Sequence, residues 1–187
     1  VLIQQVQGSD APLLADGFGR LSAESRWMRF LMAKKDLSPA ELRYFTDLDH
    51  HDHEALGALN RGDGRGVGIA RYIRYPDDPQ AAEIAVAIAD DWQRRGLGTE
   101  LLAQLSDRAR HEGISRFTAL VAADNAAATG LLRNVCASLV RRGPHTMEYE
   151  IALVPVTSGT ATGVLLVETA RRCGVGTALH LAAVADP

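Results

Sequence analysis

Ala81-Ala82-Glu83-Ile84-Ala85-Val86-Ala87-Ile88-Ala89, followed after three residues by Gln93-Arg94-Arg95-Gly96-Leu97-Gly98-Thr99, is the stretch whose reading decides the fold. The first part alternates as a strand does, with Ile84, Val86 and Ile88 on one face and Glu83, Ala85 and Ala87 on the other. The second part is a glycine turn. Beyond it Leu101, Leu102, Leu105 and Ala109 recur with helical spacing until Gly113 closes the helix. Strand, turn and helix therefore follow one another directly. The turn is no P-loop, because no Gly-Lys-Ser/Thr follows, and it is a poor dinucleotide fingerprint, because Leu101 stands where the third glycine belongs.

Working outward, Val1 to Gln7 reads as a short edge strand. Asp10 is placed to cap a helix from Ala11 to about Arg20, and a second helix covers Ala23 to Met32. Ser38-Pro39-Ala40-Glu41 carries a serine cap, a first-turn proline and a glutamate three residues on, so a third helix runs to about Thr46. Strands follow at Glu54–Asn60 and Gly66–Tyr75, joined by the turn Arg61-Gly62-Asp63-Gly64-Arg65. After the long helix come a short buried strand, Phe117–Val121, a helix capped by Asp124 and reaching about Val135, and strands at Leu139–Arg142 and Thr146–Leu153. This order predicts a mixed, mostly antiparallel α/β sheet with one crossover helix, rather than a doubly wound fold. Residues 1–155 form the domain. Residues 156–187 differ in composition, with a helix-like stretch at Val164–Cys173, and read as an appendage.

Composition narrows the function. The 187 residues carry 20 basic and 23 acidic side chains, a net charge of −3, which argues against a dedicated nucleic-acid binder. Hydrophobic residues at 47% and charged residues at 23% fit a globular chain, and no apolar run reaches the roughly 18 residues of a membrane helix. Cys136 and Cys173 stand far apart, which implies neither a zinc site nor a disulfide framework and suits a cytoplasmic protein. The chain begins at Val1 rather than Met, so an upstream segment is expected to be missing.

Four features could carry chemistry. The glycine turn brings backbone N–H groups, a helix start and the charges of Arg94 and Arg95 together, a combination suited to a pyrophosphate. Glu83 stands on a strip of alanines, so a groove replaces a filled core and the carboxylate could take a proton from an amine. The alternative is a solvated carboxylate on an open sheet face. Asp49-His50-His51-Asp52-His53 holds metal-ligand types but reads as a polar loop, and no metal is expected; His53, beside the strand, could point inward and handle protons. Asn125 either caps its helix or reaches a ligand lying between two strands. Gly62-Asp63-Gly64-Arg65-Gly66-Val67-Gly68 lies between strands and reads as a hairpin, and Cys136 reads as a packed small residue.

Gln93-Arg94-Arg95-Gly96-Leu97-Gly98-Thr99 resembles the acetyl-CoA pyrophosphate motif of the GNAT acetyltransferases, and the likeness extends over about residues 1–153. Leu21-Ser22-Ala23-Glu24-Ser25-Arg26-Trp27-Met28-Arg29-Phe30, together with Leu37 through Leu56, resembles more narrowly the catalytic domain of actinobacterial Pat-type protein lysine acetyltransferases. The resemblance implies a GNAT-like sheet splayed near Ala87–Ala89, with acetyl-CoA as co-substrate. It implies Glu83 as general base. Cofactor contacts would come from the backbone of Val86, Ala87 and Ile88, from Arg94, Arg95, Gly96, Leu97, Gly98 and Thr99, and from Asn125 and Arg133. It implies an acceptor lysine on a protein, a class that includes acyl-CoA synthetases, and a C-terminal segment able to cover the acceptor site. Leu131-Leu132-Arg133 departs from relatives that place a tyrosine there to protonate the leaving thiolate, and Cys136 stands where relatives often have glycine. Within these 187 residues no cyclic-nucleotide or amino-acid-binding domain of the kind some Pat-type enzymes carry is expected. Acetylation of a small amine, or acetyl-CoA sensing without turnover, are the competing functions.

Overall fold

The computed structural model describes residues 1–153. The expectations for residues 156–187, including a segment over the acceptor site, lie outside the described residues. Seven strands form one sheet: β1 (Leu2–Gln5), β2 (His53–Leu59), β3 (Gly66–Tyr75), β4 (Asp78–Ile88), β5 (Arg116–Ala122), β6 (Ser138–Arg142) and β7 (Thr146–Ala152). Their order is β1-β2-β3-β4-β5-β7-β6. Every pairing is antiparallel except β4 with β5, which run parallel because a helix joins them. The helices are α1 (Ala11–Arg20), α2 (Ala23–Phe30), α3 (Pro39–Thr46), α4 (Leu97–His111) and α5 (Ala126–Asn134).

Register sorts the side chains between two faces. Tyr72 pairs with Ile84, Ala70 with Val86 and Gly68 with Ile88, so these even-numbered residues share the face that packs on Leu97, Leu101, Leu102 and Leu105 of α4. Gly68 is what lets α4 approach: a Cβ there would stand 2.8 Å from Ile88 Cδ1. The glycine-rich stretch 62–68 thus serves a hairpin and a helix contact. The odd-numbered residues His53, Ile69, Arg71, Ile73, Glu83, Ala85 and Ala87 share the opposite face, where α1 packs on β3 and α2 on β4.

Three local expectations change. Asp10 does not cap α1. Its backbone is already helical, and its carboxylate accepts the Gln7 N–H at 2.9 Å across a short 3₁₀ turn, Gly8–Asp10. Asn125, not Asp124, caps α5, because its backbone is non-helical and its Oδ1 accepts the Ala128 N–H at 2.9 Å. Cys136 is exposed rather than packed, with φ of 57°. It is the left-handed residue of a Schellman cap: its N–H donates to the Arg133 carbonyl and the Ala137 N–H to that of Leu132. Gly113 (φ 79°) closes α4 through the same two bonds, to Arg110 and Ala109. Glycine is therefore the residue that the backbone at position 136 favours.

Candidate active site

The β4–β5 ladder consists of Ala81 with Arg116, Ala82 with Phe117 and Glu83 with Thr118. From Ile84 to Ile88, β4 has no strand beside it on that edge among the described residues. The sheet therefore opens just past Glu83, several residues earlier than the expected Ala87–Ala89. Val86, Ala87 and Ile88 lie along the open edge, and their side chains are buried.

At the far end of this edge the chain turns into α4. Arg94 (φ 59°) and Gly96 (φ 81°) are both left-handed, and nothing lies within 4 Å of a Cβ added at Gly96. Glycine is thus required there by conformation, not by space. No side chain caps α4. The first intrahelical bond runs from the Glu100 N–H to the Gly96 carbonyl at 3.1 Å, leaving the N–H groups of Leu97, Gly98 and Thr99 without a partner inside the helix. By contrast, Ser22, Ser38 and Asn125 cap α2, α3 and α5 with their side chains. Arg94 and Arg95 are exposed and form no ion pair among the described residues, and Arg95 lies 5.1 Å from the Trp92 ring centre. Donors, helix dipole and two guanidinium groups together are a combination suited to an anion. Asp90 ties this loop to the cap of α2, accepting from Ser22 N at 2.8 Å, from Gln93 Nε2 at 3.0 Å and from the Ser25 hydroxyl.

Glu83 is half-buried at the fork. On one side it lines a cavity of about 150 Å³ with Tyr75, Thr118, Leu120, Arg141 and Glu148. The Tyr75 hydroxyl lies 2.7 Å from Thr118 Oγ1, and burial, with Glu83 and Glu148 nearby, pushes the phenol above its ordinary pKa. Glu148 also accepts from Arg141 Nε at 2.9 Å. Two carboxylates lining one opening suit a cationic amine. On the other side, Ala85, Ala87 and Ala89 line a second cavity of about 110 Å³ beneath α1, α2 and α3, which is the groove expected from the alanine strip. Arg29 and Arg71 also line it. Burial lowers their guanidinium pKa values to about 9 and about 10, while the charge of Glu83 acts to raise both.

The structure divides the histidine run. Asp49 Oδ1 accepts the N–H groups of His51, Asp52 and His53, His51 contacts Glu112, and His50 Nδ1 meets Glu54 at 2.8 Å. Among the described residues no three such side chains are grouped as a metal site. His53 does turn inward, onto the Glu83 face, with its ring 5.2 Å from that of Tyr44. Burial, and then Arg71, lower its pKa to about 4, so it is neutral near pH 7. Glu54 is fully buried, but it accepts from Arg108, Gln5 Nε2 and the Ala55 N–H and meets His50, which makes it structural. Arg133 sits exposed in the last turn of α5.

Sequence reasoning missed Arg29, Arg71, Tyr75, Thr118 and Glu148 around Glu83. Arg71 was within reach: the turn at 61–65 and the pairing of β3 with β4 put it on the odd-numbered face. Tyr75 stands on the same strand and hairpin, whereas Arg29, Thr118 and Glu148 depend on longer-range packing and pairing.

A model of the acetyltransferase (GNAT) family matches residues 23–137. Acetyltransferase PA5475 of Pseudomonas aeruginosa is 37% identical over 141 residues, which is 74% of this chain and 73% of that protein. Acetyltransferase Pat of Mycolicibacterium smegmatis is 29% identical over 154 residues, 82% of this chain; the chain spans 46% of Pat. The crystal structure of the GNAT domain of S. lividans PAT superposes with a TM-score of 0.76 at 26% identity, over 80% of this chain and 89% of that one. Among the described residues no helix is long and apolar enough to cross a membrane.

Proposed function

Because this chain belongs to the GNAT acetyltransferase family, we propose that it moves the acetyl group of acetyl-CoA directly to a lysine amine of a protein acceptor, with Glu83 as general base. The observation that carries this reading is the open edge of β4, with Glu83 at its fork and the uncapped start of α4 at its far end. The diphosphate of acetyl-CoA lies on the N–H groups of Leu97, Gly98 and Thr99, with Arg94 and Arg95 adding charge. The pantetheine arm runs along Val86–Ile88 and pairs with the backbone of that edge. Asn125 and Arg133 are further contacts in this arrangement.

The acceptor enters from the side of Glu148 and Tyr75. A lysine with a pKa of about 10.4 arrives protonated, and only about one molecule in 2,500 is free amine at pH 7. Glu83 takes that proton, directly or through a water. The amine nitrogen then attacks the thioester carbonyl and the C–N bond forms; the C–S bond breaks as the nitrogen gives up its second proton, which passes through water to the leaving thiolate. Backbone N–H groups near Val86–Ile88 face the developing oxyanion. The Pat-type likeness supports a protein acceptor, with acyl-CoA synthetases as its leading class.

The test incubates the protein with acetyl-CoA and cell extract and reads acetyl-lysine by mass spectrometry. Acetylated lysines should accumulate. Glu83→Gln should keep acetyl-CoA affinity while turnover falls by roughly 100-fold or more. Unchanged turnover in that variant removes Glu83 from the chemistry, and acetylation confined to small amines removes the protein acceptor.

A further inference from the structure

The cavity beneath α1, α2 and α3 has walls of unlike character. Most of its lining is apolar, from Ala85 and Ala87 through Leu14, Phe18 and Phe45. Into it project two arginines with almost no exposure, Arg29 at 6% and Arg71 at 4%. Buried charges are ordinarily paired, since an unpaired one keeps a large desolvation penalty. Yet Nε and Nη1 of Arg71 are buried with no hydrogen-bond partner among the described residues. Aromatic rings cover part of the guanidinium surface: Arg71 lies 4.5 Å from the Phe45 ring centre and Arg29 4.9 Å from that of Phe30.

Glu83 is the carboxylate that acts on both guanidinium groups. Asp10 also lines the cavity, and its carboxylate accepts the Gln7 N–H. His53, on the same face, is neutral near pH 7 and has a buried Nε2 without a partner among the described residues. Arg71 therefore brings N–H donors without a partner among the described residues, at Nε and Nη1, into a mostly apolar cavity.

We propose that this cavity is a carboxylate subsite, in which a buried N–H donor of Arg71, at Nε or Nη1, holds the carboxylate of a short aliphatic chain bound alongside β4. About 110 Å³ is somewhat less than the roughly 150 Å³ that holds a benzene ring, so a carboxylate with two or three methylenes fills it. Ala85, Ala87 and Ala89 form the cavity wall on the strand along which the thioester is placed. The carboxylate therefore belongs to one of the two substrates: the tail of a dicarboxylic acyl thioester, or an acceptor amine that is itself an amino acid. The inference rests on the CoA-thioester site of the reading above and changes one of its substrates: the acyl group is then larger than acetyl, or the acceptor amine is a free amino acid rather than a protein lysine.

Two matched pairs of probes test it. Calorimetry compares succinyl-CoA with butyryl-CoA, and turnover with acetyl-CoA compares 4-aminobutyrate with butylamine. At least one pair should favour the carboxylate by 10-fold or more, and the pair that does so identifies the source. Arg71→Met should abolish the preference, and Arg71→Lys should restore part of it, which a merely structural role would not do. The wild-type comparison stands even if a variant fails to fold. Tight acetyl-CoA binding without preference in either pair overturns this inference alone. A preference that survives in Arg71→Met also overturns it. No binding of any CoA thioester overturns both this inference and the proposed function.

Discussion

Gly68→Ala tests the packing that sets α4 against the open edge of β4. The added methyl would lie 2.8 Å from Ile88 Cδ1, 3.2 Å from Leu101 Cδ1 and 3.3 Å from Leu97 Cδ2. Turning Ile88 alone does not clear it, because both leucines crowd the same point. Overpacking of this kind costs about 1–3 kcal/mol. Replacing glycine in a strand gives back about 0.5–1 kcal/mol through the unfolded chain. The net expectation is a loss of about 1–2 kcal/mol, roughly 2–8 °C in Tm for a chain of this size. Urea unfolding of Gly68→Ala, Ile88→Val and the double variant measures it. Ile88→Val alone should cost about 0.5–1.5 kcal/mol. It also deletes the Cδ1 atom that the methyl strikes, so the double variant should be about 0.5 kcal/mol or more better than the sum. Strict additivity, or a stabilised Gly68→Ala, would refute the packing argument.

Cys136→Gly should raise stability by about 1 kcal/mol, because a left-handed residue at a Schellman cap costs a side chain more than it costs glycine; thermal unfolding should show a rise of about 2–4 °C. His53 gives a pH prediction. Its folded pKa, about 4, lies below its unfolded value of 6.5, so the unfolded chain takes up the proton first and stability falls as pH drops from 6.5 to 4. With partial exposure discounted, the loss is on the order of 2 kcal/mol. His53→Phe should flatten the stability profile in that window, and a profile with the wild-type slope would assign the acid loss to other groups.

Local signals carried well from sequence to structure. The alternation over 81–89 put Glu83 and the alanines on one face, Ser38-Pro39-Ala40-Glu41 began α3 with both bonds of its capping box, and Gly113 ended α4. Errors arose where two neighbours compete for one job. Asp124 and Asn125 can both cap a helix, and only the backbone angles decide between them. Cys136 was read by its side chain when its φ was the informative property. The surroundings of Glu83 were the least legible. Thr118 reaches it across a parallel pairing and Glu148 across a further strand, and neither register is written in a local pattern. The start of the splay depends on how many β4–β5 pairs form before the strands part, which no single strand encodes.

The central claim is that the backbone at residues 96–99 holds a diphosphate and so aims a thioester at Glu83. Calorimetric titration of acetyl-4′-phosphopantetheine against acetyl-pantetheine, which differ only in the first phosphate of the diphosphate, tests it most directly. Two charge-assisted hydrogen bonds sum to about 3 kcal/mol, so acetyl-pantetheine should bind on the order of 100-fold more weakly. Equal affinities for the two would contradict the claim.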